Sequence, residues 1–305
     1  MTTGEKRNLR LGLMFISPWI LGFLTLCAYP IVSMLYHSLC DYSVLSPAVF
    51  VGVDNYKELL TDGIFWKSVY NTFYFAAFAV PLSLLMSLTL ALLLNVDLPG
   101  KGIFRTVFFL PSLMPMVCLA VLWQWLLNGE LGLINNCLRP AVDLMNSLFG
   151  THWTPPNWLL EPAYAKWGVI FASLWGVGQA VVIYLAGLQD VPRHLYEAAE
   201  IDGANFWHKT WHITLPVISP VIYFNTIMGL IGAFQIFAIP YVMTGGTDGP
   251  DRSLLFMSTY LYQNAFDYWN MGYACAIGLA LFVLILSLTC LAMRLSERHI
   301  YYAGK

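Results

Sequence analysis

The chain has 305 residues, 58% of them hydrophobic and only 10% charged, with a formal net charge of −2. An ordinary soluble domain carries roughly 25% charged residues, so 15 basic and 17 acidic side chains cannot cover a water-soluble surface of this size. That excludes a soluble enzyme, a secreted disulfide scaffold and a disordered regulator, and no basic cluster marks a nucleic-acid footprint.

Six long apolar stretches follow in chain order, at 11–36, 69–94, 103–127, 167–188, 216–243 and 272–293. Each is long enough for a helix to cross a hydrocarbon core about 30 Å thick. The pattern predicts an all-α membrane protein with six transmembrane helices. The first stretch follows Lys6, Arg7 and Arg10, but it is far longer than a signal-peptide core and ends in no clean cleavage site, so it reads as a helix. Pro18, Pro30, Pro81, Pro111, Pro115 and Pro220 lie within spans and predict kinked or locally broken helices. Arg105 is the only charge inside a span, near its start, where it is placed to snorkel to the interface. The cysteines at 27, 40, 118, 137, 275 and 290 form no C-x-x-C pair and read as small buried hydrophobes.

Charge sets the orientation. The side holding both termini carries ten basic residues, Lys6, Arg7, Arg10, Lys101, Arg105, Arg193, Lys209, Arg294, Arg298 and Lys305. The opposite side carries five, Lys57, Lys67, Arg139, Lys166 and Arg252, and the acidic residues divide seven to ten the other way. This bias predicts cytoplasmic termini. The chain then divides into a cytoplasmic N-terminus at 1–10, a six-helix membrane domain at 11–294 and a cytoplasmic tail at 295–305. Outer loops fall at 37–68, 128–166 and 244–271, cytoplasmic loops at 95–102 and 189–215. The outer loops are rich in Trp and Tyr, among them Trp66, Trp153, Trp158 and Trp269, with Trp167 at the adjoining span end. An interfacial aromatic belt explains these better than a sugar-binding platform, because most lie close to a span end.

The cytoplasmic segment Asp190-Val-Pro-Arg-His-Leu-Tyr-Glu-Ala-Ala-Glu-Ile-Asp-Gly203 predicts a helix of about three turns, with Asp190 as N-cap, Pro192 in the first turn and Gly203 as the stop. Leu195, Ala198, Ala199 and Asp202 share one face at helical spacing, and the adjacent alanines leave a low surface around which another protein's cleft can close. A second short helix follows from Ala204, with Phe206, Trp207 and Trp211 giving it an apolar side, before Pro216 opens the fifth span. Physics alone leaves two readings equally open, a mechanical elbow clamped between two spans or an ordinary connector.

Glu197-Ala198-Ala199, Gly203, and then Ile213-x-Leu215-Pro216 closely resemble the coupling loop of binding-protein-dependent ABC importer permeases. Val51-Gly52-Val53-Asp54-Asn55-Tyr56, Phe104-Arg105 with Phe109-Leu110-Pro111, Trp123-Gln-Trp, Gly132-Leu133-Ile134-Asn135, Asn157-Trp158-Leu159, Leu185-Ala186-Gly187-Leu188-Gln189 and Thr244-Gly245-Gly246 resemble its carbohydrate branch. Thr247-Asp248-Gly249-Pro250 is longer than the family's usual stretch, and Trp211 stands where Phe is commoner. The resemblance implies an ABC importer permease bundle at the inner membrane, carrying a sugar or sugar-like solute. It implies as partners two cytoplasmic ABC ATPase subunits, a second related permease in a heterodimer, and an extracytoplasmic solute-binding protein. ATPase coupling would then fall to Glu197, Ala198, Ala199, Asp202, Gly203, Ile213, Leu215 and Pro216.

No G-x-x-x-x-G-K-[ST] loop occurs, so ATP hydrolysis is expected from a partner and no catalytic residue or cofactor is assigned. His208 and His212 lie four apart, but no third ligand is evident, so interfacial packing is favoured over metal. The span centres hold no carboxylate or histidine for ion coupling. They do hold Gln179 and Tyr184 in the fourth span and Tyr223, Asn225, Phe234 and Gln235 in the fifth. Singly, each suits helix–helix hydrogen bonding. As a group, neutral amides beside aromatic faces suit a polyol or sugar. Phe234-Gln235 stands in the stretch where the maltose-type permeases it resembles place sugar contacts, and that resemblance implies Gln179, Tyr184, Asn225, Phe234 and Gln235 as the expected substrate-pathway residues. A membrane-embedded enzyme lacks its charged cluster here, a stand-alone channel has no use for the elbow, and an importer for another solute fits the outer motifs less well.

Overall fold

A computed structural model describes residues 3–96 and 99–296. Arg298 and Lys305 of the charge count, and the tail beyond Ser296, lie outside the described residues. In chain order the helices are α1 (Thr3–Phe23), α2 (Tyr29–His37), α3 (Asp54–Thr61), α4 (Gly63–Asn95), α5 (Lys101–Phe109), α6 (Met116–Leu126), α7 (Leu133–Phe149), α8 (Pro162–Leu174), α9 (Gly178–Gln189), α10 (Arg193–Ile201), α11 (Phe206–Lys209), α12 (Leu215–Val217), α13 (Ser219–Phe234), α14 (Ala238–Met243), α15 (Met257–Tyr262) and α16 (Met271–Ser296). A short antiparallel ribbon pairs β1 (Cys40–Asp41) with β2 (Val49–Phe50).

Three spans are unbroken: Arg10–His37, α4 and α16. The other three are bent pairs. α5 with its trailing turn meets α6 at 97°, α8 meets α9 at 50°, and the helical stretch Phe206–Val217 meets α13 at 69°. Prolines explain two of these bends. Met114 precedes Pro115 and is driven to an extended ψ of 136°, which ends the turn after α5. Pro220 starts α13 just after Ile218 leaves helical geometry. The 50° bend has no proline; Gly176 and Gly178 flank it instead.

Several expectations change. Pro18 and Pro81 stay inside continuous helices. At Pro18, the Ser17 hydroxyl donates to Met14 O at 2.8 Å, satisfying the carbonyl the proline leaves behind. Pro216 does not open the fifth span but lies in α12, within the first arm of that bent pair; the second arm, α13, begins at Ser219, and the chain is interrupted again at Gln235–Ile236–Phe237, where Phe237 takes φ −140° and ψ −59°. The outer segment 128–166 is no plain loop, since it contains the 17-residue α7. The cysteines are all free, and of the six only Cys40 is buried.

The chain forms two compact units, Met1–Phe65 with Tyr260–Val283, and Trp66–Thr259 with Leu284–Lys305. In the first, Asn55 donates to Ser38 O and Cys40 O, both at 2.9 Å, and Tyr56 meets Ser38 Oγ at 2.8 Å, which closes the 38–56 loop. Gly272 lies so close to this loop that a Cβ would stand 2.1 Å from Cys40 O. The first span exposes apolar side chains along its whole length, as suits a helix with hydrocarbon as its solvent.

In the second unit, the motifs around residues 132–135 and 157–159 meet at one side chain. Asn135 is fully buried, donates to Gly129 O at 2.9 Å and Pro156 O at 3.0 Å, and accepts from Trp158 Nε1 at 2.8 Å. Replacing Asn135 by Ala removes all three bonds and should lower stability by about 2–4 kcal/mol, because the carbonyls and the indole are left buried and unpaired. Fluorescence-monitored thermal unfolding of the purified protein checks this, with Asn135→Asp expected to be no more stable than Asn135→Ala, because it sets a buried carboxylate against two carbonyls.

Candidate functional site

The elbow between α9 and α13 is built rigidly. Its first helix, α10, has nine residues, about two and a half turns. Pro192, not Asp190, occupies its N-cap position; Asp190 instead ends α9. The reason is steric, since Pro192 holds the residue before it out of the helical region. At the other end Gly203 takes φ +75°, Gly203 N donates to Glu200 O at 3.0 Å and Ala204 N to Ala199 O at 2.8 Å. This is a glycine-terminated helix stop, as the sequence predicts. Asn205 then caps α11, its Oδ1 accepting from His208 N at 2.9 Å.

Three ties hold the elbow. Tyr196 OH meets Thr214 Oγ1 at 2.9 Å, Lys209 Nζ pairs with Glu200 Oε1 at 2.7 Å, and Val191 is buried with Leu94, Val181, Leu185, Leu188 and Ile218. Ile213 and Leu215 pack against this cluster, while Glu197, Ala198, Asp202 and Gly203 are exposed and Ala199 is half-buried. Ile201 is 88% exposed, an apolar side chain with no cover at the tip of the elbow. Phe206, Trp207 and Trp211 are also exposed, forming the apolar side expected of the second helix. The rings of His208 and His212 stack at 5.9 Å, with Nδ1 of each engaged by Asn205 Oδ1 and His208 O respectively. Among the described residues no three His, Cys, Asp or Glu side chains gather as a metal site.

The three interrupted spans converge elsewhere. A cavity of about 510 Å³ is bounded by the turn Pro111–Ser112, the bend at Gly176, the break at Gln235–Phe237, and α4 around Ala79 and Ser83. Of the expected pathway residues, Gln179 and Gln235 line it and are exposed to it. Phe234 does not; it is buried edge-on against Phe73 at 5.1 Å. Asn225 turns its amide back to Val221 O at 3.0 Å on its own helix. Tyr184 is fully buried in the cluster at the elbow end of α9, and its hydroxyl has no partner.

The sequence reading missed Ser83, Ser112 and Ser173 on the cavity wall. Each hydroxyl donates to a carbonyl three residues back, at 2.7–2.8 Å, which leaves its lone pairs free to accept from a ligand. Their only sequence signal is proximity to a helix breaker, Pro81, Pro111 or Gly176. Methionine and aromatic surface from Met114, Met116 and Phe237 completes the wall.

Cavity and elbow are joined by two helices. α9 starts beside the cavity at Gly178–Gln179 and ends at the elbow, about 18 Å away at 1.5 Å per residue. α13 starts after the elbow and ends at Gln235 in the cavity, about 24 Å away. They are closely packed: a Cβ on Gly187 would stand 2.7 Å from Val221 Cγ2. At the cavity end, a Cβ on Gly178 would meet Ser112 Oγ at 2.9 Å and Phe108 O at 3.0 Å, so α9 is wedged against the bend of the third span.

Residues 63–300 match the family model described as the binding-protein-dependent transport system inner membrane component. The chain is 35% identical to the probable ABC transporter permease protein YesP of Bacillus subtilis, over 99% of this chain and 94% of that one. It is 33% identical to the trehalose/maltose transport system permease protein MalF of Thermococcus litoralis, over 96% of each. Its fold is similar to that of a chain in the crystal structure of a bacterial alginate ABC transporter in complex with an alginate pentasaccharide-bound periplasmic protein, with a TM-score of 0.79, 24% identity and 96% of each chain covered.

Proposed function

This chain belongs to the family of binding-protein-dependent transport system inner membrane components, the permease subunits of ABC importers, and from that premise we propose that it moves a sugar or sugar-like solute through the cavity between its broken spans. The solute is delivered by an extracytoplasmic binding protein. Energy comes from two cytoplasmic ABC ATPase subunits, with a second related permease completing the pathway. The observation that carries this reading is the pair α9 and α13, each fixed to the elbow at one end and carrying a cavity amide, Gln179 or Gln235, near the other.

Chemistry supports the solute class. A side-chain amide both donates and accepts, as a sugar hydroxyl does, and the serine lone pairs and apolar faces match the rest of such a ligand. The carbohydrate named for the Thermococcus relative agrees in kind. The exposed Glu197, Ala198, Asp202 and Gly203 face, with Ile201 at its tip, is the surface offered to an ATPase cleft, and closure of the ATPases would draw α9 and α13 with it. Ile213, Leu215 and Pro216 stiffen the elbow behind that face. The Lys and Arg bias supports cytoplasmic termini around one permease domain at 11–294, with the termini at 1–10 and 295–305 outside it.

Affinity purification of the tagged chain from mild detergent tests the assembly: an ATPase, a second six-span permease and, with solute, a binding protein should be recovered together. A chain recovered alone or as a homo-oligomer would overturn it. Within the assembled complex in vesicles, Gln235→Ala should lower solute uptake by about tenfold, the worth of one lost hydrogen bond to a buried polar ligand, with assembly unchanged. Unaltered uptake kinetics would remove Gln235 from the pathway.

A further inference from the structure

Arg105 does not snorkel freely to water. Its Nη2 donates to Leu94 O at 3.2 Å, one of the carbonyls left over at the end of α4, while its Nε is buried with no partner. A guanidinium N–H buried and unpaired calls for an acceptor. Beside it lies a cavity of about 240 Å³, separate from the pathway, whose walls are apolar: Phe109, Val181, Val182 and Leu185. Val182, Ala186 and Gln189 are exposed at its mouth, and Gln189 ends α9 immediately before the elbow.

One fixed cation in a cavity whose remaining walls are apolar but for Gln189 at the mouth fits an anion that carries its own hydrocarbon. We propose that this cavity binds one anionic phospholipid, its phosphate on Arg105 and its acyl chain along Val181, Val182 and Leu185. Basic pockets between transmembrane helices near a headgroup layer take lipid phosphates by the same chemistry. Apart from Gln189 at the mouth, a free phosphate would meet apolar walls and gain little. The lipid would brace α5 against α9 at the elbow end, where α9 hands motion to the elbow. The leaflet depends on the orientation proposed above; the lipid chemistry does not.

The test uses the assembled complex, stripped of lipid in detergent and titrated with phosphatidylglycerol, with bound lipid counted by native mass spectrometry. One phosphatidylglycerol per chain should be held, diacylglycerol should not compete for it, and millimolar inorganic phosphate should not displace it. Arg105→Gln should weaken retention by about fivefold or more, the effect of one basic side chain at an anionic headgroup, and Arg105→Lys less. Val182→Phe, at the exposed mouth, should expel the lipid while assembly survives, which keeps the test open if Arg105→Gln fails to assemble. Displacement by inorganic phosphate, or equal retention by Val182→Phe and native protein, would overturn the proposal. Because binding is read without transport, it can fail while the importer reading stands.

Discussion

Gly203→Pro is expected to cut solute uptake by the assembled importer by about tenfold or more, because proline fixes φ near −65° where Gly203 sits at +75°. The substitution also deletes the N–H that donates to Glu200 O at 3.0 Å. Without that stop, α10 and α11 lose their fixed angle, and the exposed face around Ala198 no longer presents one shape. Gly203→Asn is the control, since asparagine tolerates the left-handed region, and should retain most uptake. Ala198→Arg separates docking from folding. Ala198 is exposed, so the arginine leaves the chain folded but blocks close approach by a partner. Co-purification with the ATPase should be lost in Ala198→Arg, and solute-stimulated ATP hydrolysis should collapse in Gly203→Pro. If both variants assemble and transport normally, the elbow is a connector and the coupling assignment is wrong.

The second large effect is expected at Asp62, between α3 and α4. Its Oδ2 accepts from Tyr260 OH at 2.5 Å and Tyr273 OH at 2.7 Å, and its Oδ1 accepts from Ile64 N at 2.8 Å. One carboxylate thus ties three chain segments of the same unit. Asp62→Ala leaves two buried phenols without their acceptor and should destabilise the protein by about 3 kcal/mol, since hydrogen bonds to a charged group are worth more than neutral ones. Burial works to raise the Asp62 pKa, but the tyrosine and backbone hydrogen bonds outweigh it and leave the group below its ordinary value of 3.8. A folded-state pKa below the unfolded one gives a contribution that is complete above the ordinary carboxylate range and fades as pH falls through the lowered value. The native protein should therefore lose stability below about pH 4, and Asp62→Asn should show a flatter acid limb. Thermal unfolding in detergent across pH 3–7 reads both; an Asp62→Asn profile parallel to the native one would remove the carboxylate from this role.

The membrane segments and the elbow were legible because their signals are local and additive. Hydrocarbon length and charge decide each span residue by residue, and Gly203 specifies its own turn. Even locally, neighbours competed: Asp190 is a good N-cap by type, but Pro192 took that position by excluding helix from the residue before it. Pro81 reads as a break yet lies within a 33-residue helix, whereas the bend at Gly176 has no proline at all.

The pathway residues show the limit most clearly. Gln179, Tyr184, Asn225, Phe234 and Gln235 look alike as polar or aromatic residues within apolar runs, yet only the two glutamines reach the cavity. Asn225 satisfies its amide on its own helix, and Tyr184 and Phe234 are spent on packing. The sequence by itself determined which segments are long and apolar enough to cross a membrane and where α10 stops at Gly203, since both follow from the transfer and conformational energies of neighbouring residues. Only the tertiary structure decided where three helix breaks meet and which side chains face the space between them. Each break frees backbone groups that lipid cannot satisfy, so it must be buried against protein or a polar cavity, and that partner lies on segments far away in the chain.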